Sequence, residues 1–236
     1  MIDFDRVAVR VDADAGAMRG TDGQRTLLQD LTLSLPERRI AIIGANGSGK
    51  STLLKLINGL VLPSSGSVTS AGLDTRQRGR DVRRRVGFIF TDPLSQLVMP
   101  TGREDVELSL RSRIKRPEER RSAAQAVLER FGIADLADRS IYDLSGGERQ
   151  LLAIAVVAAV EPLILVADEP TTLLDLRNEH RIRDTLRDVA AQLIFTTHNL
   201  SFALDSDRCL VIDSGRIAFD GPPVDAVAFY RSLCAA

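Results

Sequence analysis

The run Gly44-Ala45-Asn46-Gly47-Ser48-Gly49-Lys50-Ser51-Thr52 combines residue types that suit one task, holding a chain of phosphates. Its spacing is G-x-x-x-x-G-K-[ST], and it stands between the apolar stretch Ile40 to Ile43 and the apolar-periodic stretch Leu53 to Ile57. That order predicts strand, loop and helix, the context in which the spacing carries meaning. Glycines let successive backbone N–H groups turn inward around an anion, and the helix that follows aims its positive end at the same point. Lys50 then reaches the β and γ phosphates, and the Ser51 hydroxyl becomes an oxygen ligand for Mg2+. The chain contains 31 lysines and arginines, of which only Lys50, Lys55 and Lys115 are lysines. A lysine in this loop, in so arginine-rich a chain, fits a task that needs a point charge on a flexible stem. The implied ligand is a nucleoside triphosphate.

Two further groups carry chemistry. Asp168-Glu169 follows directly on the apolar run Leu163 to Ala167. An acid at the C-terminal end of a parallel strand beside a phosphate loop is where a Mg2+-holding carboxylate belongs. A second acid next to it can orient or deprotonate a water. These spacings assign Asp168 to Mg2+, through water, and Glu169 to the general base. The string Leu144-Ser145-Gly146-Gly147-Glu148-Arg149-Gln150 precedes an apolar helix pattern, with Ser145 a good N-cap. Ser145, Gly146 and Gly147 therefore read as a second helix start able to receive an anion.

The intervening chain alternates strand and helix signals. Ile2 to Val11 and Leu27 to Leu35 alternate loosely, which predicts two strands, the second antiparallel and leading to Pro36. Ala13 to Arg25, rich in Gly and Asp, reads as a turn or flexible loop. The helix after the phosphate loop is expected to end near Asn58-Gly59, with a turn at Pro63 to Gly66 and a short strand at Val68 to Gly72. Arg76 to Arg85 reads as a basic connection, and Val86 to Phe90 as a buried strand. Glu104 to Phe131 is mostly helical, broken at Pro117; another helix begins at Ser145 and runs through the apolar segment Leu151 to Val160. Leu163 to Ala167, Leu193 to Thr197 and Arg208 to Ile212 read as strands of a buried parallel sheet, with a helix at Asn178 to Val189 that places His180 on the surface. Strands at both ends around a helical insert imply one α/β core carrying a helical subdomain.

A length of 236 residues suits one large α/β domain or two small ones, and the net charge of −1 gives no basic field to recruit nucleic acid. The start, Met1 to Asp5, is charged and leads into no apolar core, so no signal peptide is expected. Leu151 to Val160 is too short to span a bilayer. The expectation is a soluble chain whose membrane role, if it has one, comes through a partner. Cys209 and Cys234 form no framework or metal spacing and fit a reducing cytosol, with Cys209 a small buried residue of a strand.

The full Leu144 to Gln150 string matches the signature of the ATP-binding-cassette (ABC) ATPases, and the other motifs resemble that family's in order. Glu169-Pro170-Thr171-Thr172-Leu173-Leu174-Asp175 looks like the base followed by the D-loop, with Asp175 at the family's aspartate. Thr196-Thr197-His198-Asn199 looks like the H-switch, which gives His198 a γ-phosphate contact. The resemblance implies an α/β P-loop NTPase core with an antiparallel β subdomain, and a helical subdomain carrying the signature. It implies one ATPase domain over residues 1–236, with a RecA-like core at about 1–90 and 160–220 and a helical subdomain at about 95–158. ATP and Mg2+ are the implied ligands. The implied site is shared: ATP on Lys50 and Ser51 of one subunit is closed over by Ser145 and Gly147 of a second, and hydrolysis lets the pair open. Two departures stand out. Thr91 occupies the place of the family's glutamine, with Gln96 five residues on but not promoted to that role, and Val11 stands where an adenine-stacking aromatic is usual.

Phe90 to Leu110 resembles a narrower run, that of the energy-coupling-factor importers, with Asp92, Pro93, Gln96, Pro100, Thr101, Glu104, Asp105 and Val106 in register. That branch takes up vitamins and metal ions through a transmembrane coupling subunit and a substrate-binding membrane subunit. The implied location is peripheral, on the cytoplasmic face of the cell membrane, with a second ATPase subunit, identical or not, and no nucleic acid. Glu104 and Asp105 either meet arginines of the coupling subunit or simply open a helix, where acids are favourable. Within the branch the biotin ATPase is the nearest likeness, with cobalt, nickel and shared-vitamin systems as competitors. A soluble, non-transport ABC ATPase is the remaining alternative. It is opposed by the single loop, the single signature and the absence of a heptad run between them.

Overall fold

The structure, a computed structural model, describes residues 1–12 and 24–235. The chain begins with β1 (Ile2–Asp12) and β2 (Gln24–Leu35), then β3 (Arg39–Ile43), the phosphate loop and α1 (Lys50–Asn58). β4 (Ser65–Ser70), β5 (Leu73–Asp74) and α2 (Gly79–Arg85) lead into β6 (Val86–Ile89). Three helices follow, α3 (Gly102–Leu110), α4 (Pro117–Arg130) and α5 (Gly146–Ala158). The chain then returns through β7 (Ile164–Ala167), α6 (Leu176–Asp188), β8 (Gln192–Thr196), α7 (Leu200–Ala203), β9 (Arg208–Asp213), β10 (Arg216–Gly221) and α8 (Pro223–Ala235).

Two sheets result, an antiparallel one in the order β2-β1-β4-β5 and a six-stranded one in the order β10-β9-β3-β8-β7-β6. In the larger sheet β10 runs antiparallel to β9, and the other described pairings are parallel. Its strands lack polar alternation because both faces are covered. Ile40, Ile42, Phe88, Val166, Ile194 and Leu210 pack with α1 and the antiparallel sheet. The alternate residues Ala41, Ile43, Ile89, Leu165, Phe195 and Val211 pack with α3 to α6 and α8. Each large apolar side chain buried this way contributes about 1.5–3 kcal/mol relative to an exposed one. Because β3, β8 and β7 are parallel neighbours, Ile43, Thr196 and Ala167 end at one edge, and the loops that follow emerge side by side there.

Several expectations change in detail. Gln24 and Arg25 belong to β2, and the rest of the expected Ala13-to-Arg25 turn lies outside the described residues. Ser65 and Gly66, read as turn, open β4. The basic connection Arg76 to Arg85 is largely helix α2. Its arginines staple loops: Arg76 donates to Pro63 O, Arg83 to Gly59 O at 3.4 Å and Arg85 to Ala71 O at 3.1 Å. Arg78 and Arg84 pair with Asp81 on the same helix. The sequence pattern also missed β10 and α8, which contribute only Ala226 and Val227 as fully buried residues. Pro117 opens α4 at the first helical position, where its missing N–H costs nothing. No helix among the described residues is long and apolar enough to cross a membrane.

Candidate active site

The loop between β3 and α1 is a backbone cradle. Gly44 has φ 150°, and a Cβ built there lies 2.1 Å from the Ile212 carbonyl oxygen of β9. Gly49 has φ 113°, and its Cβ would lie 2.8 Å from Leu28 of β2. Both strands press against the loop, so only glycine fits. Gly49 also lacks a side chain to cap α1, so the N–H groups of its first turn have no side-chain acceptor. Ser48 is buried, and its Oγ has no partner among the described residues. A ring of unpaired donors at a helix N-terminus fits an anionic phosphate chain. Lys50, 7% exposed, donates from Nζ to Gly44 O at 2.8 Å and Ala45 O at 3.0 Å. Burial lowers its pKa, with Glu169 and Asp168 raising it in opposition. Ala45, Asn46 and Gly47 are exposed at the crest, and Thr52 lies in the first turn of α1.

Asp168 follows directly on β7, its N–H donating to Ile89 O at 2.9 Å. Its Oδ1 accepts from Ser51 Oγ at 3.0 Å and Thr196 Oγ1 at 2.7 Å. An oxygen pair on a hydroxyl and a carboxylate fits Mg2+, which takes one or two protein oxygens and completes its shell with phosphates and water. Thr196 also accepts from the Glu169 N–H at 2.9 Å, so one hydroxyl fixes both acids. The sequence reading passed over it. The available signal was a pair of hydroxyls ending an otherwise apolar strand.

Glu169 adopts φ 50°, a left-handed conformation that costs a non-glycine residue about 1–3 kcal/mol. Its Oε2 accepts from the His198 N–H at 3.2 Å and Thr172 Oγ1 at 3.2 Å, and lies 2.7 Å from His198 Nδ1. The carboxylate favours a proton on Nδ1, leaving Nε2 as a free acceptor on a 64% exposed side chain. Lys50, Ser51, Asp168, Glu169 and His198 thus share one edge of the sheet.

Ser145, Gly146, Gly147 and Asp175 form a second grouping. Ser145 and Glu148 make a capping box on α5, with Ser145 N–H donating to Glu148 Oε2 at 2.7 Å and Glu148 N–H to Ser145 Oγ at 3.3 Å. The first of these contacts holds the Glu148 carboxyl below its usual range. Ser145 and Gly146 are exposed, whereas a Cβ on Gly147 would lie 2.4 Å from Asn178. Asn178 in turn donates to Asp175, the N-cap of α6, from its backbone at 2.8 Å and its amide at 3.0 Å. Among the described residues no hydrogen bond joins this group to the phosphate loop of the same chain.

The two departures take definite form. Thr91 Oγ1 donates to the Asp168 carbonyl at 2.9 Å, so its hydroxyl tethers the loop to the backbone of β7 and is not directed at the carboxylate. Gln96 is committed elsewhere: Oε1 accepts from Phe90 N–H and Nε2 donates to Ala153 O, both at 3.0 Å. Val11 lies exposed near the end of β1. His180 is exposed on α6, as expected.

The two acids beyond Gln96 separate. Glu104 is exposed in a capping box with Thr101. Asp105 is 2% exposed, its carboxylate accepting from Val98 N–H and Met99 N–H at 3.2 Å, so it is closed to any partner's arginine. Burial pushes its pKa up, against the pull of those N–H groups. A folded-state pKa above the unfolded one means the fold takes up the proton more readily, so stability from Asp105 improves as pH falls. Wild type is therefore expected to gain stability over Asp105→Asn as pH drops from about 7 to about 4. Urea unfolding of both proteins across that range measures it, and a gap moving the other way would rule the buried carboxylate out as its cause.

A cleft of about 910 Å3 lies apart, between Phe131, Leu163 and the α6 residues Arg181 and Asp184. It shares no lining residue with the phosphate loop.

The ABC transporter family pattern matches residues 28–172. A putative ABC transporter ATP-binding protein of Bartonella quintana is 43% identical over 88% of this chain and 92% of its own. The biotin transport ATP-binding protein BioM of Rhizobium etli is 40% identical over 90% and 95%. The energy-coupling factor transporter ATP-binding protein EcfA1 of Halalkalibacterium halodurans is 36% identical over 87% and 75%. Among solved structures, a dimeric ATP-binding cassette in a post-hydrolysis state bound to ADP and Pi superposes with TM-score 0.82 at 26% identity, covering 94% and 99%. CbiO1 of Clostridium perfringens, part of the ABC transporter complex cbiONQ, superposes with TM-score 0.81 at 26% identity, covering 99% and 93%. With this match, these relatives and this fold, the chain belongs to the ABC transporter family and is an ATP-binding, ATP-hydrolysing subunit of such a transporter.

Proposed function

We propose that this chain sits on the cytoplasmic face of the cell membrane and energises an energy-coupling-factor importer that takes up a vitamin, with biotin the favoured substrate. The observation that carries the reading is the 40% identity to a biotin transport ATP-binding protein over nine-tenths of both chains. The register of Asp92, Pro93, Gln96, Pro100 and Thr101 supports the same branch.

In this reading residues 1–236 form one ATPase domain, with a core at about 1–90 and 160–220 and a helical subdomain at about 95–158. Gly44 to Thr52 cradle the phosphates of ATP, and Lys50 leaves its loop carbonyls to neutralise the β and γ oxygens. Ser51 and Asp168 would hold Mg2+, which supplies positive charge to those oxygens when bound. Glu169 takes the proton of the attacking water. His198, its Nδ1 proton held by Glu169, presents its ring at the γ-phosphate side of the site. Ser145, Gly146 and Gly147 act on the nucleotide of a second ATPase subunit, identical or not, which fits the exposure of Ser145 and Gly146 at the start of α5. Asp175 fixes the α6 start beside Gly147 and so shapes that shared contact. A transmembrane coupling subunit and a substrate-binding membrane subunit complete the complex, and nucleic acid has no part in it.

The test is affinity isolation of the tagged chain from membranes of the organism that makes it, followed by labelled-biotin uptake. The expected result is recovery with two integral membrane proteins and uptake abolished by Lys50→Ala. Recovery with ribosomes, or uptake of cobalt or nickel in place of biotin, would overturn it.

A further inference from the structure

The residue after His198 is tied to α6 by a contact that the ATPase reading leaves without a task. Asn199 Nδ2 donates to Glu179 Oε1 at 2.6 Å. The same amide's Oδ1 accepts from Ser201 N–H at 2.9 Å, Ser201 Oγ at 2.8 Å and Phe202 N–H at 3.3 Å, so it also caps α7. Glu179 is 13% exposed and pairs one turn on with Arg183 at 3.5 Å, itself 14% exposed. Arg183 clamps the far side of the segment, donating to Asp205 Oδ2 at 2.7 Å and Ser201 Oγ at 3.1 Å, with its guanidinium 5.3 Å from the Phe202 ring centre. Residues 199–205 are therefore held to α6 at two points, and the point nearer His198 is Glu179.

The first turn of α6, which carries Glu179, also meets the signature. Asp175 caps it, and Asn178, the residue before Glu179, fills the space beside Gly147. A shift of α6 would thus be felt both at Gly147 and, through Glu179 and Asn199, at His198. His198 is mostly exposed, and its polar side-chain contact within the described residues is Glu169, so its ring depends on where the backbone of 198–199 is held.

We propose that Glu179 is a positioning residue: through Asn199 it sets His198 against Glu169 and links that pair to the helix that begins at Asp175. The inference rests on the roles given above to Glu169 and His198. A carboxylate held by an amide donor admits a swap. Asn199→Asp keeps an oxygen for the α7 cap but loses the donor and sets two carboxylates against each other. Adding Glu179→Gln restores one hydrogen bond with its direction reversed.

Steady-state ATP hydrolysis by the full chain tests it. Asn199→Asp is expected to lower kcat on the order of tenfold, because a small misplacement near the chemistry is costly, with KM for ATP unchanged. Asn199→Asp with Glu179→Gln should recover kcat to within about twofold of wild type. Glu179→Ala should match Asn199→Asp in kcat, with its unfolding midpoint recorded alongside. Full activity in Asn199→Asp, a rise in KM in place of a fall in kcat, or no recovery in the double variant would overturn the proposal. If His198→Ala and Glu169→Gln retain turnover, the roles assigned to them fail instead, whatever Glu179 does.

Discussion

Glu169→Gln lowers the turnover of ATP on the order of 100-fold or more while leaving ATP binding intact, since a positioned general base is worth that much. The substitution keeps the shape of the side chain and an oxygen to accept from Thr172 Oγ1 and the His198 N–H. What it loses is the negative charge 2.7 Å from His198 Nδ1 and the basicity needed to take a proton from water. The φ of 50° at Glu169 is one that glutamine adopts at the same cost, so the local backbone stays in place. Phosphate release under saturating ATP measures the fall, and nucleotide titration measures the unchanged affinity. With the site shared between two subunits, the variant is also expected to accumulate an ATP-dependent dimer on size exclusion. Turnover within a few-fold of wild type would remove Glu169 from the role of base.

Gly44→Ala is expected to destabilise the fold by about 3–5 kcal/mol and to abolish ATP binding with it, combining backbone strain with a core clash. The added Cβ would stand 2.1 Å from the Ile212 carbonyl oxygen, and that atom is backbone of a strand paired along its length with β3. Neither strand can retreat without breaking the parallel ladder that places the loop. Gly47→Ala is the control. Its φ of 76° is also left-handed, but a Cβ there meets nothing within 4 Å. Its cost is expected to be about 1–2 kcal/mol, the conformational penalty alone. Urea unfolding of the two variants separates the effects, and equal midpoints would show that the contact with Ile212 is relieved more cheaply than its geometry implies.

The parallel strands were legible because burial on both faces leaves unbroken apolar runs such as Ile40 to Ile43 and Ile164 to Ala167, although Leu163, read into the second, lies outside it and is exposed. The helix start at Ser145 was legible because a capping residue type just before an apolar helix pattern is a local signal, whereas the Thr101 cap, which starts α3 two residues before the expected Glu104, was not read. β10 and α8 were not legible, since no residue of β10 is fully buried and only Ala226 and Val227 of α8 are. The helix α2 was hidden by its arginines, which read as a basic connection; Arg83 and Arg85 in fact bind the carbonyls of Gly59 and Ala71, and Arg76, just before the helix, binds that of Pro63.

For the site, residue types and spacing were enough to name the phosphate loop, the acid pair and the signature, because each is a property of a few consecutive residues. Which atoms meet was a different matter. Thr196 fixing Asp168 and Glu169, Thr91 turning to the Asp168 carbonyl, and Asp105 closing in on Val98 and Met99 are decided by packing. The first two join residues 27 to 77 positions apart. Periodicity records which face of an element is buried; it carries no register between elements. That register comes from the order of strands in the sheet, which brings Ile43, Ala167 and Thr196 to one edge and makes three separate motifs into a single site.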